Sequence, residues 1–213
     1  EGAAKAILAL YGVPTIAERL TGAVEEAVGA AASLGYPVAL KVASIDLPHK
    51  TEAGVVRIGL RAADEVRAAY AEIMARAGAV QPPPRIAGVL VQRMAPPGVE
   101  LLVGGRVDPQ FGPLLLFGLG GVLAELLRDT ILLPAPATPA RIAEGLRGLR
   151  GAAVLAGFRG APGADLDAAA DAIARISELL ADQADMIGEL DANPLICGAD
   201  GAVAVDALIV RPR

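Results

Sequence analysis

The sequence predicts an α+β protein built as two lobes. Strand-like and helix-like runs are mixed along the whole chain, and hairpin-type connections sit beside helical ones, the pattern of α+β architecture. Glycine (25 residues) and proline (16 residues) fall between the periodic runs, so they mark turns. Gln81-Pro82-Pro83-Pro84 is the strongest break and reads equally well as a lobe boundary or as a stiff surface loop. Taken as a boundary, it gives a small lobe of about residues 18–85. Residues 86–213 and the N-terminal helix form a large lobe, all within one domain spanning 1–213.

The elements follow in order. Ala3–Tyr11 reads as a helix stopped by Gly12 and Pro14. Val24–Leu34 is a second helix, with Thr21 near its start and Gly35 at its stop. Val38–Val42 is a short strand whose alternation puts Val38, Leu40 and Val42 on one face and Lys41 on the other. Ser44–Gly54 is a loop, Val55–Leu60 a strand, and Asp64–Ala77 a helix with its acids near the N-terminus. Ile86–Gln92 is a strand, turned by Ala95-Pro96-Pro97-Gly98, and Glu100–Val107 and Leu114–Phe117 are further strands. Gly118-Leu119-Gly120-Gly121 leads into a short helix, Val122–Arg128. Pro139–Leu149 is a helix with Thr138 as N-cap and Pro139 first inside it. Leu166–Ala184 is the longest helix, and the chain closes on two strands, Ile187–Cys197 and Ala202–Val210, around Gly198–Gly201.

Composition excludes several classes. Apolar residues make up 54% of the 213, against disorder, while aromatics make up 3%, so Ala, Val, Leu and Ile must build the core. Nineteen basic against 24 acidic residues give a net charge of −5 with no basic run, which gives a nucleic-acid partner no electrostatic support. The longest chargeless stretch, Pro109–Ala124, is short for a membrane span and is broken by Pro113, Gly118, Gly120 and Gly121. The single cysteine, Cys197, can form no intramolecular disulfide and reads as a small apolar filler. With no signal peptide visible, a cytoplasmic location is expected. The start at Glu1, inside a helical pattern, suggests a piece of a longer polypeptide.

Chemistry concentrates in Pro37–Gly54. A strand delivers Lys41, and the loop after it delivers His49, the only histidine, and Lys50. Lysine is a compact charge for phosphate oxygens, and a neutral imidazole can accept a phosphoryl group. Alone, His49 would read as an exposed loop histidine; Lys41, Lys50, Thr51 and Gly54 around it shift the reading to function. At the other end, period-2 alternation puts Glu189, Asp191 and Asn193 on one strand face. If Gly198–Gly201 is the loop, Asn193 falls opposite Asp206, and Asp191, Asn193 and Asp206 form an oxygen cluster suited to Mg²⁺. A solvated strand face is the plainer alternative. Asp206 argues against it, because it interrupts the apolar run Val203–Ile209. Gly118-Leu119-Gly120-Gly121 matches no phosphate-loop pattern and reads first as a tight strand-to-helix turn.

These segments together resemble the ATP-grasp domain of the ADP-forming acyl-CoA synthetases, the acetate–CoA ligase type related to the succinyl-CoA synthetase β subunit. The resemblance runs through Tyr11-Gly12-Val13-Pro14, Pro37–Leu60, Val89–Met94, Gly98–Leu101, Asp108–Gly121, Glu189–Leu195 and Val205-Asp206-Ala207. It implies an ATP-grasp fold with ATP or ADP held between two α+β lobes. Lys41 and Lys50 would contact the phosphates, Gln92, Arg93 and Met94 would form the hinge strand at the adenine, and Glu100 would hold the ribose. Asp191, Asn193 and Asp206 would hold Mg²⁺, in agreement with the hairpin argument. His49 would be the phosphoryl carrier between nucleotide and a histidine on the CoA-ligase portion.

The overall reaction implied is acyl-CoA + ADP + phosphate ⇌ acid + CoA + ATP, an acid–CoA ligase (ADP-forming) of which this chain is one part. CoA-binding domains, on the same or a partner chain, would bring acyl-CoA and phosphate, and the full enzyme would be oligomeric. One departure stands at Gly54-Val55, where many relatives have paired glycines; it puts close backbone approach at position 55 in doubt. The alternative is a non-catalytic or regulatory ATP-grasp scaffold of an acyl-CoA-synthetase-like protein acetyltransferase. Loss of the carrier histidine would mark that case, and His49, both lysines and the acidic hairpin are present.

Overall fold

The computed structural model describes residues 1–47, 50, 53–158, 160 and 162–212. His49 lies outside the described residues, as do Pro48, Thr51 and Glu52. The chain divides into two compact units, a small one of Ile16–Met94 and a large one of Glu1–Thr15 with Ala95–Arg213.

The small unit is a four-stranded antiparallel sheet with two helices. Its elements are β1 (Glu18–Thr21), α2 (Val24–Leu34), β2 (Val38–Ser44), β3 (Val56–Leu60), α3 (Ala63–Gly78) and β4 (Ile86–Arg93). The strand order is β1-β4-β2-β3. Val38, Leu40 and Val42 of β2 and Val89 and Val91 of β4 bury against Ala27, Ala30 and Ala31 of α2 and Val66, Ala69, Ile73 and Ala77 of α3. Alanine at the helix positions lets α2 and α3 lie close to the sheet, which is how a chain poor in aromatics fills its core. Thr21 is not a cap of α2, whose N-cap is Ala23 without a side-chain bond. Its hydroxyl instead donates to the Val89 carbonyl at 2.8 Å, within the sheet.

The unit boundary also differs from the proline break. β4 follows Gln81–Pro84 yet pairs with both β1 and β2, so residues 86–94 belong to the small unit. A local turn signal cannot report which sheet the next strand joins.

The large unit is a six-stranded antiparallel sheet with helices on one face. It contains α1 (Gly2–Leu10), β5 (Val99–Asp108), β6 (Gly112–Leu119), α4 (Gly121–Leu127), β7 (Thr130–Pro134), α5 (Pro139–Gly148), a 3₁₀ turn (Ala152–Val154), α6 (Leu166–Asp182), β8 (Glu189–Gly198), β9 (Gly201–Ala204) and β10 (Leu208–Val210). The order is β10-β8-β5-β6-β7, with β9 also on β8. Leu101, Val103, Leu115 and Phe117 face Leu8 of α1, Ile142 and Leu146 of α5 and Ile173, Ile176 and Leu180 of α6. Two side-chain caps start the helices: Thr138 Oγ1 accepts from Arg141 N at 3.4 Å and Asp165 Oδ1 from Ala168 N at 3.0 Å.

Two strands gave no usable sequence signal. β1, Glu-Arg-Leu-Thr, has one large apolar residue, and β7 is an edge strand ended by Pro134. The final strand expected over 202–210 is two strands, interrupted at residues 205–207.

Candidate functional site

In the small unit, the face of the sheet away from α2 and α3 carries Ala39 and Lys41 of β2, Leu90 and Gln92 of β4, and Glu18 and Leu20 of β1. The register sets Lys41 beside Leu90 and Ala39 beside Gln92, with Glu18 beyond Gln92. Gln92 is 1% exposed and donates through Nε2 to Glu18 Oε2 at 3.0 Å. Lys41 is 8% exposed, a level unusual for lysine. Alternation sends Arg93 away from Gln92, and Arg93 is exposed. Met94 is tied to β2 through its N–H, which donates to the Pro37 carbonyl at 3.2 Å.

Lys50 sits in a turn closed by Val55 N donating to its carbonyl at 3.1 Å. Val55 is fully buried in the small core, so the Gly54-Val55 departure is a packing position and not a surface open to a ligand. Gly54 has φ +67, and a Cβ there would lie 2.7 Å from Arg76 Nη1.

In the large unit, the sheet face away from the helices carries the acidic residues of β8. Leu190 and Ala192 enter the core, so Glu189, Asp191 and Asn193 point the other way, as alternation requires. Leu195 and Cys197 enter the core as well. The parity changes because β8 has an extra residue opposite β5 between Ala192 and Leu195, a β-bulge at Asn193-Pro194. The hairpin register is the one the Gly198–Gly201 loop demands: Gly198 pairs with Gly201 and Leu195 with Ala204. Beyond the interruption, Leu208 pairs with Asp191 in that same register, which sets Asn193 opposite Asp206.

A cavity of about 470 Å³ opens on this face, lined by Asp191, Glu189, Arg106 and leucines that include Leu102, Leu116 and Leu208. Burial pushes the Asp191 carboxyl above its usual range, and the charge of Asp206 pushes it further. Gly104 pairs with Asp191 across β5 and β8, and its missing side chain leaves room over the carboxylate. Asp206 Oδ1 accepts from Ala207 N at 2.8 Å. Two carboxylates and an amide are hard oxygen donors of the kind Mg²⁺ takes. Among the described residues no group of three His, Cys, Asp or Glu side chains gathers for a metal. Arg106 was not anticipated. Its place on the Asp191 face follows from alternation along β5, but nothing in its neighbours marks that face as a site.

Glu100 lies on the same face of β5, four residues before Gly104. It borders a second cavity of about 630 Å³ with Gly98, Gly120, Gly121, Phe158 and Cys197. The glycine turn grips it: Gly120 N donates to the Glu100 carbonyl at 2.7 Å, and a Cβ on Gly121 would lie 2.6 Å from Glu100 Oε2. The turn is a tight strand-to-helix connection shaped around Glu100. The Cys197 thiol is buried and is pushed up to about 11 by that burial.

The ATP-grasp domain family matches residues 1–210. This chain belongs to the ATP-grasp domain family. The β subunit of an ADP-forming acetate–CoA ligase of Pyrococcus furiosus is 39% identical over 210 residues, 99% of this chain and 90% of that protein. The ATP-grasp domain described here is therefore the ATP-grasp part of the ADP-forming acyl-CoA ligases. A solved dinucleotide-forming acetyl-coenzyme A synthetase 1 of Ca. Korarchaeum cryptofilum, in complex with coenzyme A, Ca-AMPCP and HgCl⁺, superposes with a TM-score of 0.95 at 40% identity, covering 100% of this chain and 92% of that one. A second structure of that synthetase holds coenzyme A and Mg-AMPPCP, with a phosphohistidine segment pointing towards the nucleotide binding site. It matches with a TM-score of 0.85 at 38% identity, again over 100% of this chain and 92% of that one. Among the described residues of this ATP-grasp domain, no helix is long and apolar enough to cross a membrane.

Proposed function

We propose that this ATP-grasp domain moves a phosphoryl group between Mg-ATP or Mg-ADP and His49. The observation that carries the reading is the Asp191–Asp206 pair, two like charges on one sheet face, one of them raised by burial and by the other. Such a pair is costly by itself and favourable around a divalent cation. Asp191, Asn193 and Asp206 would hold Mg²⁺, which when bound neutralises charge on the phosphate oxygens. Lys41 and Lys50 hold the phosphates in the small unit. Lys41 suits this because its ammonium is a compact charge for phosphate oxygens, carried on a buried sheet face. The backbone of Gln92, Arg93 and Met94 meets adenine, and Glu100, held by Gly120 and Gly121, accepts from the ribose hydroxyls.

A nitrogen lone pair of neutral His49 attacks the γ-phosphorus. The N–P bond forms as the bond to the β,γ-bridging oxygen breaks, and ADP leaves with that electron pair. The reverse step makes ATP from phosphohistidine and ADP. The phosphohistidine segment and Mg-nucleotide analogue in the Korarchaeum synthetase support this assignment, as does its bound coenzyme A for a CoA-binding partner domain that exchanges phosphate with His49.

The test is acid-labile labelling from [γ-³²P]ATP, with the CoA-binding partner present. His49→Ala should abolish the label and leave Mg-nucleotide affinity within about twofold. Label retained by that variant would overturn the carrier role.

A further inference from the structure

Asp206 stands in the break between β9 and β10. Val205 N donates to the Pro194 carbonyl at 3.0 Å, which makes Val205 and Pro194 a hydrogen-bonded pair of the antiparallel ladder. In such a pair each residue gives one N–H and takes one. Proline has no N–H, so Pro194 cannot return the bond. The Val205 carbonyl is served instead by Lys5 Nζ, which donates to it at 3.0 Å from α1, 200 residues away in sequence.

Lys5 is 3% exposed and sits on the buried side of α1 with Ala4 and Leu8. Its ammonium also meets Glu1 Oε1 at 3.3 Å. An apolar residue would fill this helix position at lower desolvation cost. The same N-terminal segment holds the preceding residue too: Ala204 N donates to the Pro14 carbonyl at 2.8 Å, beside a parallel bridge of Thr15 to Ala204. The two residues before Asp206 are therefore fixed by residues 5 and 14–15.

We infer that Lys5 is a positioning residue for the cation site: its ammonium replaces the N–H that Pro194 lacks and thereby sets where Asp206 leaves the sheet. This rests on the reading of Asp206 as a cation ligand. With alanine at 194 a backbone N–H would be available to the Val205 carbonyl.

The probe is Mn²⁺, followed by electron paramagnetic resonance with ADP present, on the domain with its partner. Lys5→Met keeps the stem and removes the donor. It should weaken Mn²⁺ tenfold or more and leave metal-free ADP affinity within about twofold. Lys5→Arg should recover most of the loss. Lys5→Met on a Pro194→Ala background should cost much less than on the native one, because the restored N–H reaches Val205; if Lys5→Met alone does not fold, this double variant decides. Native Mn²⁺ affinity in Lys5→Met, or a double variant no better than the single one, would overturn the inference. Equal Mn²⁺ binding by native protein and Asp206→Asn would instead show that Asp206 is no ligand, a failure of the underlying reading.

Discussion

The charge of Asp206 raises the carboxyl of Asp191 from across the β8–β10 edge, on a face where burial has already raised it. A carboxylate raised in this way, Asp191, disfavours the folded state at neutral pH until a cation joins it. Mg²⁺ should therefore raise the thermal midpoint of the native domain, by linkage to the folded state alone. Asp206→Asn should lose that rise. A Mg²⁺-induced shift that survives in Asp206→Asn contradicts the ligand assignment.

Gly121 is held at φ +56 with Glu100 Oε2 against its Cα hydrogens. Alanine there costs about 1–2 kcal/mol from the left-handed backbone alone. It also drives a methyl into the Glu100 carboxylate. Urea unfolding of Gly121→Ala should show that loss, and ADP affinity should fall with and without Mg²⁺ alike. An unchanged affinity would remove Glu100 from the nucleotide site.

Asp46 accepts from Arg85 three times, from N at 2.8 Å, Nε at 3.0 Å and Nη2 at 2.8 Å. The Arg85 guanidinium and N–H hold its carboxyl down at about 2. A lowered folded value means the carboxylate favours the folded state above the unfolded value of about 3.9. That contribution is lost as the pH falls through about 2. Asp46→Asn should be less stable than native at pH 6, and the difference should shrink steadily between about pH 4 and pH 2. Denaturant unfolding across this window checks it. A difference that does not change over that range would contradict the pairing.

Cys197 is fully buried and its Sγ lies 3.2 Å from the Asp165 carbonyl. With its thiol pushed up to about 11, roughly a thousandth is thiolate at pH 8. A thiol reagent such as Ellman's should label it only as fast as the large unit opens. Rapid labelling of the native protein would show a thiol that the second cavity exposes.

Much of this was readable from the chain itself, for reasons that differ by residue. Lys41 announced its face because β2 alternates strictly, with Val38, Leu40 and Val42 on the other side. The Asn193–Asp206 register was readable because a four-residue loop, Gly198–Gly201, fixes every pair beyond it. The break at 205–207 was not, because the contacts made there come from Pro194 on the opposite strand and Lys5 on a distant helix, which no local pattern reports. The unit boundary at Met94 was hidden for the same reason: β4 joins the small sheet through partners on both sides, and a run of prolines before it says nothing of them. Arg106 lay on a correctly read strand, but no local pattern shows that it borders the cavity beside Asp191.

The most direct test is titration calorimetry of ADP, with and without Mg²⁺, into native protein and Lys41→Met in the presence of the CoA-binding partner. The account predicts Mg²⁺-dependent binding to the native protein and at least tenfold weaker binding to Lys41→Met, about 1.4 kcal/mol or more. Equal affinity in the two proteins, or no nucleotide binding by native protein under either condition, would contradict it.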